Sequence, residues 1–219
     1  ASWRLQPLTK EYFLWFTLLS TGVFGFFIST DLFTMFMFYE VALIPMYLLI
    51  GVWGSGRKEY AAMKLTLMLM GASAFLLIGI LGIYYGAGGD TMNILELVKR
   101  DIPYDMQRLF FPLVFLGFGV LGALFPFHTW SPDGHASAPT AVSMLHAGVL
   151  MKLGGYGCFR VAMYLMPEGA AEWGNFFLVL TTISVVYGAF SAVVQTDLKY
   201  INAYSSVSHC GLVLFALLM

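Results

Sequence analysis

Two ionisable residues lie in the middle of long apolar stretches of this sequence. Glu40 lies within DLFTMFMFYEVALIPMYLLIGVW, and Lys152 lies within TAVSMLHAGVLMKLGGYGCFR. A charge at the centre of a bilayer costs about 2.5–3.5 kcal/mol on insertion scales, so such residues usually face the protein interior and take part in ion or proton movement. The acid and the base therefore predict a site that loads and releases protons. A structural ion pair that fixes helix packing is the alternative, and the sequence leaves it open.

Histidines near these residues are candidate proton relays. His128 falls in the stretch FPFHTWSPDGHASAP, whose prolines predict a broken helix. Irregular backbone at membrane depth is tolerated only where it is buried in protein or lines a wet cavity. His146 precedes Lys152 by about 600° of helical rotation, so the two side chains should lie on different faces of the helix. Two alternatives stay open: His146 could instead be a hydrogen-bonded polar group of the core, and the proline-rich stretch that contains His128 could be an ordinary surface loop.

The composition indicates the environment in which these residues lie. The chain of 219 residues has 11 Lys or Arg and 12 Asp or Glu, so 11% of it is charged, against about 25% in soluble domains. Hydrophobic residues make up 59%, and the mean hydropathy is +0.80. These values exclude a soluble enzyme and a disordered protein. The net charge of −1 excludes a nucleic-acid binder.

Motifs that would bind a cofactor are missing from the sequence. It contains no Walker loop, no GxGxxG fingerprint, no cysteine cluster and no haem signature. His128 and His135 have no partner at metal-ligand spacing, so we expect no metal site. We therefore expect other chains to supply the energy that drives this protein.

Seven apolar stretches are long enough, or nearly so, to cross roughly 30 Å of hydrocarbon as helices of about 20 residues. They predict an all-α fold, a polytopic transmembrane helix bundle that forms one domain over 1–219 and includes a broken helix. Both ends of the sequence lie close to an apolar stretch, so we expect a piece of a longer membrane protein. The predicted helices are 12–28, 32–53, 61–86, 109–130, 140–166, 176–195 and 203–219.

Four segments of the sequence resemble one family of membrane proteins. That family is the antiporter-like M subunit (chain 4) of NADH:quinone oxidoreductase, respiratory complex I, and the resemblance covers residues 30 to 219 in order. Mrp-type cation/proton antiporters and membrane-bound hydrogenases share parts of it. The segments are FYEVALIPMYLLIGVWG, FPFHTWSPDGHASAPTAVSM, AGVLMKLGGYG and QTDLKYINAYSSVSHCG.

The resemblance implies both a fold and a role. The family has fourteen helices with two inverted five-helix repeats, and this chain would hold the fourth to the tenth helix. The role would be proton translocation in a bacterial inner-membrane enzyme, beside other antiporter-like subunits and the lipid bilayer. NADH, FMN, iron–sulfur clusters and quinone would bind to partner subunits, and this chain would hold no cofactor. Glu40 matches the family's glutamate in helix five, and Lys152 matches its lysine in helix eight.

One position departs from the family's pattern. The family usually has a lysine four residues before the Phe-Pro pair of the broken helix, where this chain has Leu121. His146 occupies a place that is usually apolar, so one hypothesis is that it compensates for the missing lysine. Alternatively, the chain is a structural membrane subunit that does not pump. A third interpretation is a subunit of an Mrp-like cation/proton antiporter.

Overall fold

The computed structural model describes residue 2 and residues 6–219. Within these residues the only β-structure is an isolated bridge between Asp31 and Asn93, so the predicted all-α fold is confirmed. Two π-helical segments, His146–Leu150 and Cys158–Met163, accompany the α-helices. The α-helices are α1 (Thr9–Ile28), α2 (Leu32–Trp53), α3 (Lys58–Gly86), α4 (Ile94–Leu97), α5 (Tyr104–Leu121), α6 (Trp130–Ser137), α7 (Thr140–Leu145), α8 (Met151–Gly157), α9 (Pro167–Val194) and α10 (Leu198–Leu218).

Five of the described helices, α1, α2, α3, α9 and α10, are long and apolar enough to cross a membrane. Large apolar side chains cover their outer faces, as Phe24 on α1 and Phe190 on α9 illustrate with exposed fractions of 68% and 70%. Such a surface suits contact with lipid or with other membrane helices, whereas water would penalise it. The chain is therefore a membrane protein.

The two stretches that carry the candidate histidines depart from regular α-helix, the first by a break and the second by π segments. Instead of one helix over 109–130, the structure has α5, which ends at Leu121, followed by irregular chain up to Thr129. Pro126 contributes to this interruption because it has no backbone N–H for a helical hydrogen bond. The stretch predicted as one helix over 140–166 consists of α7, the first π segment, α8 and the second π segment in direct succession.

Several helices begin before their apolar stretches do. Helix α9 begins at Pro167 rather than at 176, and α10 begins at Leu198 rather than at 203. Proline suits the first position of a helix, and the Asp197 side chain caps α10 by accepting a hydrogen bond from the Lys199 backbone N–H at 2.8 Å. Hydropathy marks the part of a helix that lies in hydrocarbon, whereas these polar signals set where the helix starts.

A glycine allows α8 to lie directly against the end of α5. A Cβ atom at Gly154 would overlap the backbone nitrogen of Gly122 and the carbonyl oxygen of Phe118. Small residues permit this close approach of two backbones inside a membrane. The contact places Lys152, two residues earlier in α8, beside the end of the broken helix.

Replacing Gly154 with alanine should destabilise the bundle, because the added methyl group has no room between the two backbones. Overpacking of this kind typically costs about 1–3 kcal/mol. Gly148→Ala is the matched control, since a Cβ at Gly148 meets nothing within 4 Å. We expect Gly154→Ala alone to lower the melting temperature of the purified membrane protein. Equal melting temperatures for the two variants would contradict the close contact.

Candidate functional site

The break between α5 and α6 is held in place by hydrogen bonds to its protein surroundings. The backbone N–H of Phe125 donates to the Ser184 hydroxyl on α9 at 2.6 Å. The indole N–H of Trp130, the first residue of α6, donates to the carbonyl of Val120 at 3.1 Å. Because lipid offers no partners for irregular backbone, these bonds are what allow the break to exist at membrane depth.

Lys152 lies on α8, directly after the first π segment. Its ammonium group donates a hydrogen bond to the carbonyl oxygen of Ala147, within that segment. π-Bulges change the regular backbone ladder and occur frequently at functional sites. Lys152 also borders a mostly apolar cavity of about 240 Å³. The other residues that line this cavity are Phe27, Gly122, Met151, Gly155, Tyr156, Cys210, Val213 and Leu214.

A second, more polar cavity of about 260 Å³ lies between α7 and the first half of α10. It extends from Lys199 near the start of α10 to His135 on α6 and to Ala147. Ala147 therefore borders this cavity while its carbonyl oxygen holds the Lys152 ammonium group. The remaining lining residues are Thr140, Ser143, Met144, Leu198, Asn202, Ala203 and Ser206.

His146 begins the first π segment and is fully buried. Its ring stacks on that of His135, with centroids 4.1 Å apart and an interplanar angle of 14°, and on that of Trp130 at 5.2 Å. Lys152 instead points to the Ala147 carbonyl, so the two side chains have different surroundings, as the helical spacing predicted. Neither ring nitrogen of His146 has a hydrogen-bond partner among the described residues.

His128 lies apart from the other candidate residues. It is buried at the break, where its ring stacks on Phe125 at 5.7 Å and meets the ring of Tyr187 on α9 edge-on at 4.9 Å. Its Nδ1 atom has no hydrogen-bond partner in the described part of the chain. His128 therefore lies on the α9 side of the break. Its ring contacts are with Phe125 and Tyr187, and not with His146 or Lys152.

Glu40 lies on α2, and its Oε1 atom is buried without a hydrogen-bond partner among the described residues. Pro45 lies inside the same helix and cannot donate to the Val41 carbonyl, which leaves a free acceptor one residue after the acid. Among residues 2 and 6–219, no ion pair within 4.0 Å includes Glu40 or Lys152. A direct structural ion pair between them is therefore not present in this conformation.

One ion pair at the broken helix was not anticipated from the sequence. The ammonium group of Lys64 on α3 pairs with Asp133 on α6 at 2.6 Å. Both side chains are about three-quarters buried, with exposed fractions of 23% and 27%. Asp133 also lines a polar cavity of about 460 Å³ together with Arg57 and Tyr200. The acid two residues before His135, in PDGH, was the available sequence signal.

A family model described as NADH:quinone oxidoreductase/Mrp antiporter, TM, matches residues 29–219. The chain belongs to this family. The matched region contains Glu40, the broken helix and Lys152, so the family resemblance found in the sequence is confirmed.

Two relatives in this NADH:quinone oxidoreductase/Mrp antiporter family cover nearly the whole chain. NAD(P)H-quinone oxidoreductase chain 4 3 of Picosynechococcus sp. is 39% identical over 218 residues, which are 99% of this chain and 40% of that protein. NADH-quinone oxidoreductase subunit M of Rickettsia prowazekii is 39% identical over 95% of this chain and 43% of its own length. The chain thus spans about two fifths of the length of these relatives.

Solved structures from three kinds of complex share the fold. A chain of respiratory complex I from Thermus thermophilus has a TM-score of 0.86 and 29% identity, covering 92% of this chain and 43% of its own. A chain of an archaeal membrane-bound sulfane sulfur reductase has a TM-score of 0.89 and 28% identity, and the match covers 98% of this chain and 45% of that one. A chain of the Mrp complex from Dietzia sp. has a TM-score of 0.81 and 25% identity, and the match covers 93% of this chain and 38% of that one. The fold is therefore that of antiporter-like membrane subunits.

Removing the Ser184 hydroxyl should loosen the break, because the Phe125 N–H loses its partner. An unsatisfied buried donor costs about 1–3 kcal/mol. Thr182→Ala is the control, since the exposed Thr182 hydroxyl only bonds the Leu178 carbonyl of its own helix. Hydrogen exchange measured by mass spectrometry should be faster over 122–129 in Ser184→Ala and unchanged in Thr182→Ala. Unchanged exchange in both variants would show that Ser184 does not hold the break.

Proposed function

We propose that this chain conducts protons as part of a respiratory NADH:quinone oxidoreductase. The observation that carries the proposal is the position of Ala147, which borders the polar cavity and whose carbonyl oxygen holds the Lys152 ammonium group. A proton carrier must reach water on one side and be able to give up its proton. Lys152 has a single carbonyl partner and no carboxylate within 4.0 Å among the described residues, so no fixed negative charge holds its proton.

In this proposal each candidate residue has a distinct task. Protons enter the cavity from the side of Lys199 and reach Lys152 past Ala147. Lys152 exchanges the proton, and Glu40 on α2 adjusts the proton affinity of Lys152 through its charge. His146 and His128 relay protons on the two sides of the break. The π segment matters because it exposes a carbonyl oxygen to the side chain of Lys152.

The enzyme as a whole would transfer electrons in other chains. We expect NADH, FMN, iron–sulfur clusters and quinone to bind to partner subunits, and this chain to supply only the path for protons. Its neighbours would be other antiporter-like membrane subunits, since the similar structures come from complexes of several subunits. We place the complex in a bacterial inner membrane, supported by the similarity to the Rickettsia prowazekii subunit.

Two alternative functions each rest on an observation. Leu121 is 1% exposed at the end of α5, where the family resemblance leads one to expect a lysine, and this favours a structural subunit that does not pump. The structural similarity to the Dietzia Mrp complex favours exchange of a cation for protons. The presence of a polar cavity that reaches the Lys152 partner favours proton conduction over the purely structural role.

Replacing Lys152 with methionine should abolish proton pumping by this subunit, because methionine fills a similar volume and cannot carry a proton. Lys99→Met is the control, since Lys99 is an exposed residue of the connection between α3 and α5. The measurement is the proton-to-electron ratio of membrane vesicles that contain the assembled complex and oxidise NADH. We expect a lower ratio in Lys152→Met only. An unchanged ratio with normal assembly would contradict the proposal and favour the structural role.

The coupling reaction separates the respiratory from the Mrp-like alternative. Vesicles that contain the complex should acidify when NADH is added, and an inhibitor of the quinone site should stop this acidification, because the driving energy comes from electron transfer. A sodium gradient imposed without NADH serves as the second condition. Proton movement driven by that gradient and insensitive to the quinone-site inhibitor would favour the cation antiporter.

A further inference from the structure

The polar cavity of about 460 Å³ that Asp133 lines lies where α3 and α10 begin, and we call it the outer cavity. Its walls come from the connection before α3, the first turn of α3, helix α6 and the first residues of α10. Arg57 and Lys199 are the basic residues that line it. Two cations therefore face one cavity at the ends of two long membrane helices.

The guanidinium group of Arg57 is available to bind an anion. It takes part in none of the ion pairs within 4.0 Å among residues 2 and 6–219, and its Cζ atom lies 5.5 Å from the centroid of the Tyr60 ring. Helix α3 begins directly after Arg57 without a side-chain cap, so no side chain satisfies the N–H groups of its first turn. A helix start of this kind favours a negatively charged ligand.

The acidic groups of the outer cavity are engaged by the protein itself. The Asp133 carboxylate pairs with Lys64 at 2.6 Å. The Asp197 carboxylate caps α10 by accepting a hydrogen bond from the Lys199 backbone N–H at 2.8 Å. The ammonium group of Lys199 donates to two carbonyl oxygens at the end of α6 and retains a third N–H. In the described part of the chain, Arg57 and Lys199 thus face the cavity without an opposite charge.

A groove continues from the outer cavity along α3, and we call it the α3 groove. It has a volume of about 530 Å³, and Tyr60 lines both the groove and the outer cavity. Met63 and Leu67 also line it, with exposed fractions of 54% and 65%, and its charged lining residues are Glu59 and Lys64. Because the groove and the outer cavity share Tyr60, one elongated ligand has room in both.

The length of α3 sets the depth of these two sites in the membrane. Its 29 residues span about 43 Å at 1.5 Å per residue, whereas the hydrocarbon of a bilayer is about 30 Å thick. At a usual tilt of about 20°, a turn at each end of α3 lies among the lipid headgroups. Tyr60 is in the first turn, where tyrosine is frequent, and Leu67 lies two turns further towards the hydrocarbon.

We propose that the outer cavity and the α3 groove together bind one anionic phospholipid of the surrounding membrane. Its phosphate lies in the outer cavity between Arg57 and Lys199, and one acyl chain follows the α3 groove past Met63 and Leu67. A phospholipid fits better than a soluble anion, because only an amphiphile also covers the apolar side chains beside the charges. Basic pockets between membrane helices bind anionic headgroups in this way. Binding here does not depend on whether the chain conducts protons.

Photocrosslinking of a lipid tests this site in the assembled complex. The complex is reconstituted in phosphatidylcholine vesicles with a trace of phosphatidylglycerol that has a diazirine early in one acyl chain, and labelled peptides are located by mass spectrometry. We expect the label on α3 within 60–70, and unlabelled phosphatidylglycerol should displace the probe. Inorganic phosphate at the same concentration should not displace it, because it has no acyl chain to occupy the groove.

Arg57→Gln should reduce this labelling about fivefold, which is the contribution of one basic residue near an anionic headgroup. Arg57→Lys retains the positive charge and should retain most of the labelling. Lys99→Gln is the matched control, since it removes an exposed positive charge from the connection after the other end of α3 and should label like the wild-type complex. The extent of assembly is measured for each variant, so that labelling is expressed per assembled complex.

Labelling of Arg57→Gln equal to that of Lys99→Gln would overturn the proposal. If Arg57→Gln does not assemble, a trace of phosphatidylcholine with the same diazirine decides, and equal labelling of 60–70 in the wild-type complex by the two lipids would overturn it. Displacement by inorganic phosphate would indicate a site for free anions. No label on α3 from either lipid would indicate that another protein chain covers the groove, and each of these two results would also overturn the proposal.

Discussion

The structure depends on one constraint, which is that irregular backbone inside a membrane must find its hydrogen-bond partners within the protein. The chain over 122–129 lacks the regular ladder of a helix. The Ser184 hydroxyl accepts a hydrogen bond from the Phe125 N–H within this segment, and the Trp130 indole donates to the Val120 carbonyl just before it. Lys199 donates to two carbonyl oxygens at the end of α6. Without these partners the break would be too costly, and a continuous helix would separate the polar groups from one another.

The groups that satisfy the break also place the groups that can carry protons. Trp130 bonds the end of α5 and, by its position, holds the ring of His146. Lys199 bonds the end of α6 and lines the polar cavity that reaches Ala147. Lys152 lies beside the break because Gly154 lets α8 approach α5 closely. The contacts that stabilise the broken helix therefore also help to form the polar cavity beside the site.

The sequence alone predicts the all-α membrane fold, the break in the fourth stretch and the unusual depth of Glu40 and Lys152. These features follow from hydropathy, proline chemistry and the cost of burying charge, which are local properties. The stacking of His135 on His146 could not be predicted, because it depends on how the chain turns at the break and on a π segment. The pairing of Lys64 with Asp133 could not be predicted for the same reason, since the two residues lie on helices that are far apart in the sequence.

The central claim is that Lys152 exchanges a proton and does not act only as a fixed charge. Arginine at this position tests the claim directly, because its guanidinium stays charged at all accessible pH values and cannot release a proton. The measurement is the proton-to-electron ratio of vesicles that contain the assembled Lys152→Arg complex and oxidise NADH. The account predicts a ratio as low as that of Lys152→Met, with quinone reduction retained. A wild-type ratio in Lys152→Arg would contradict it.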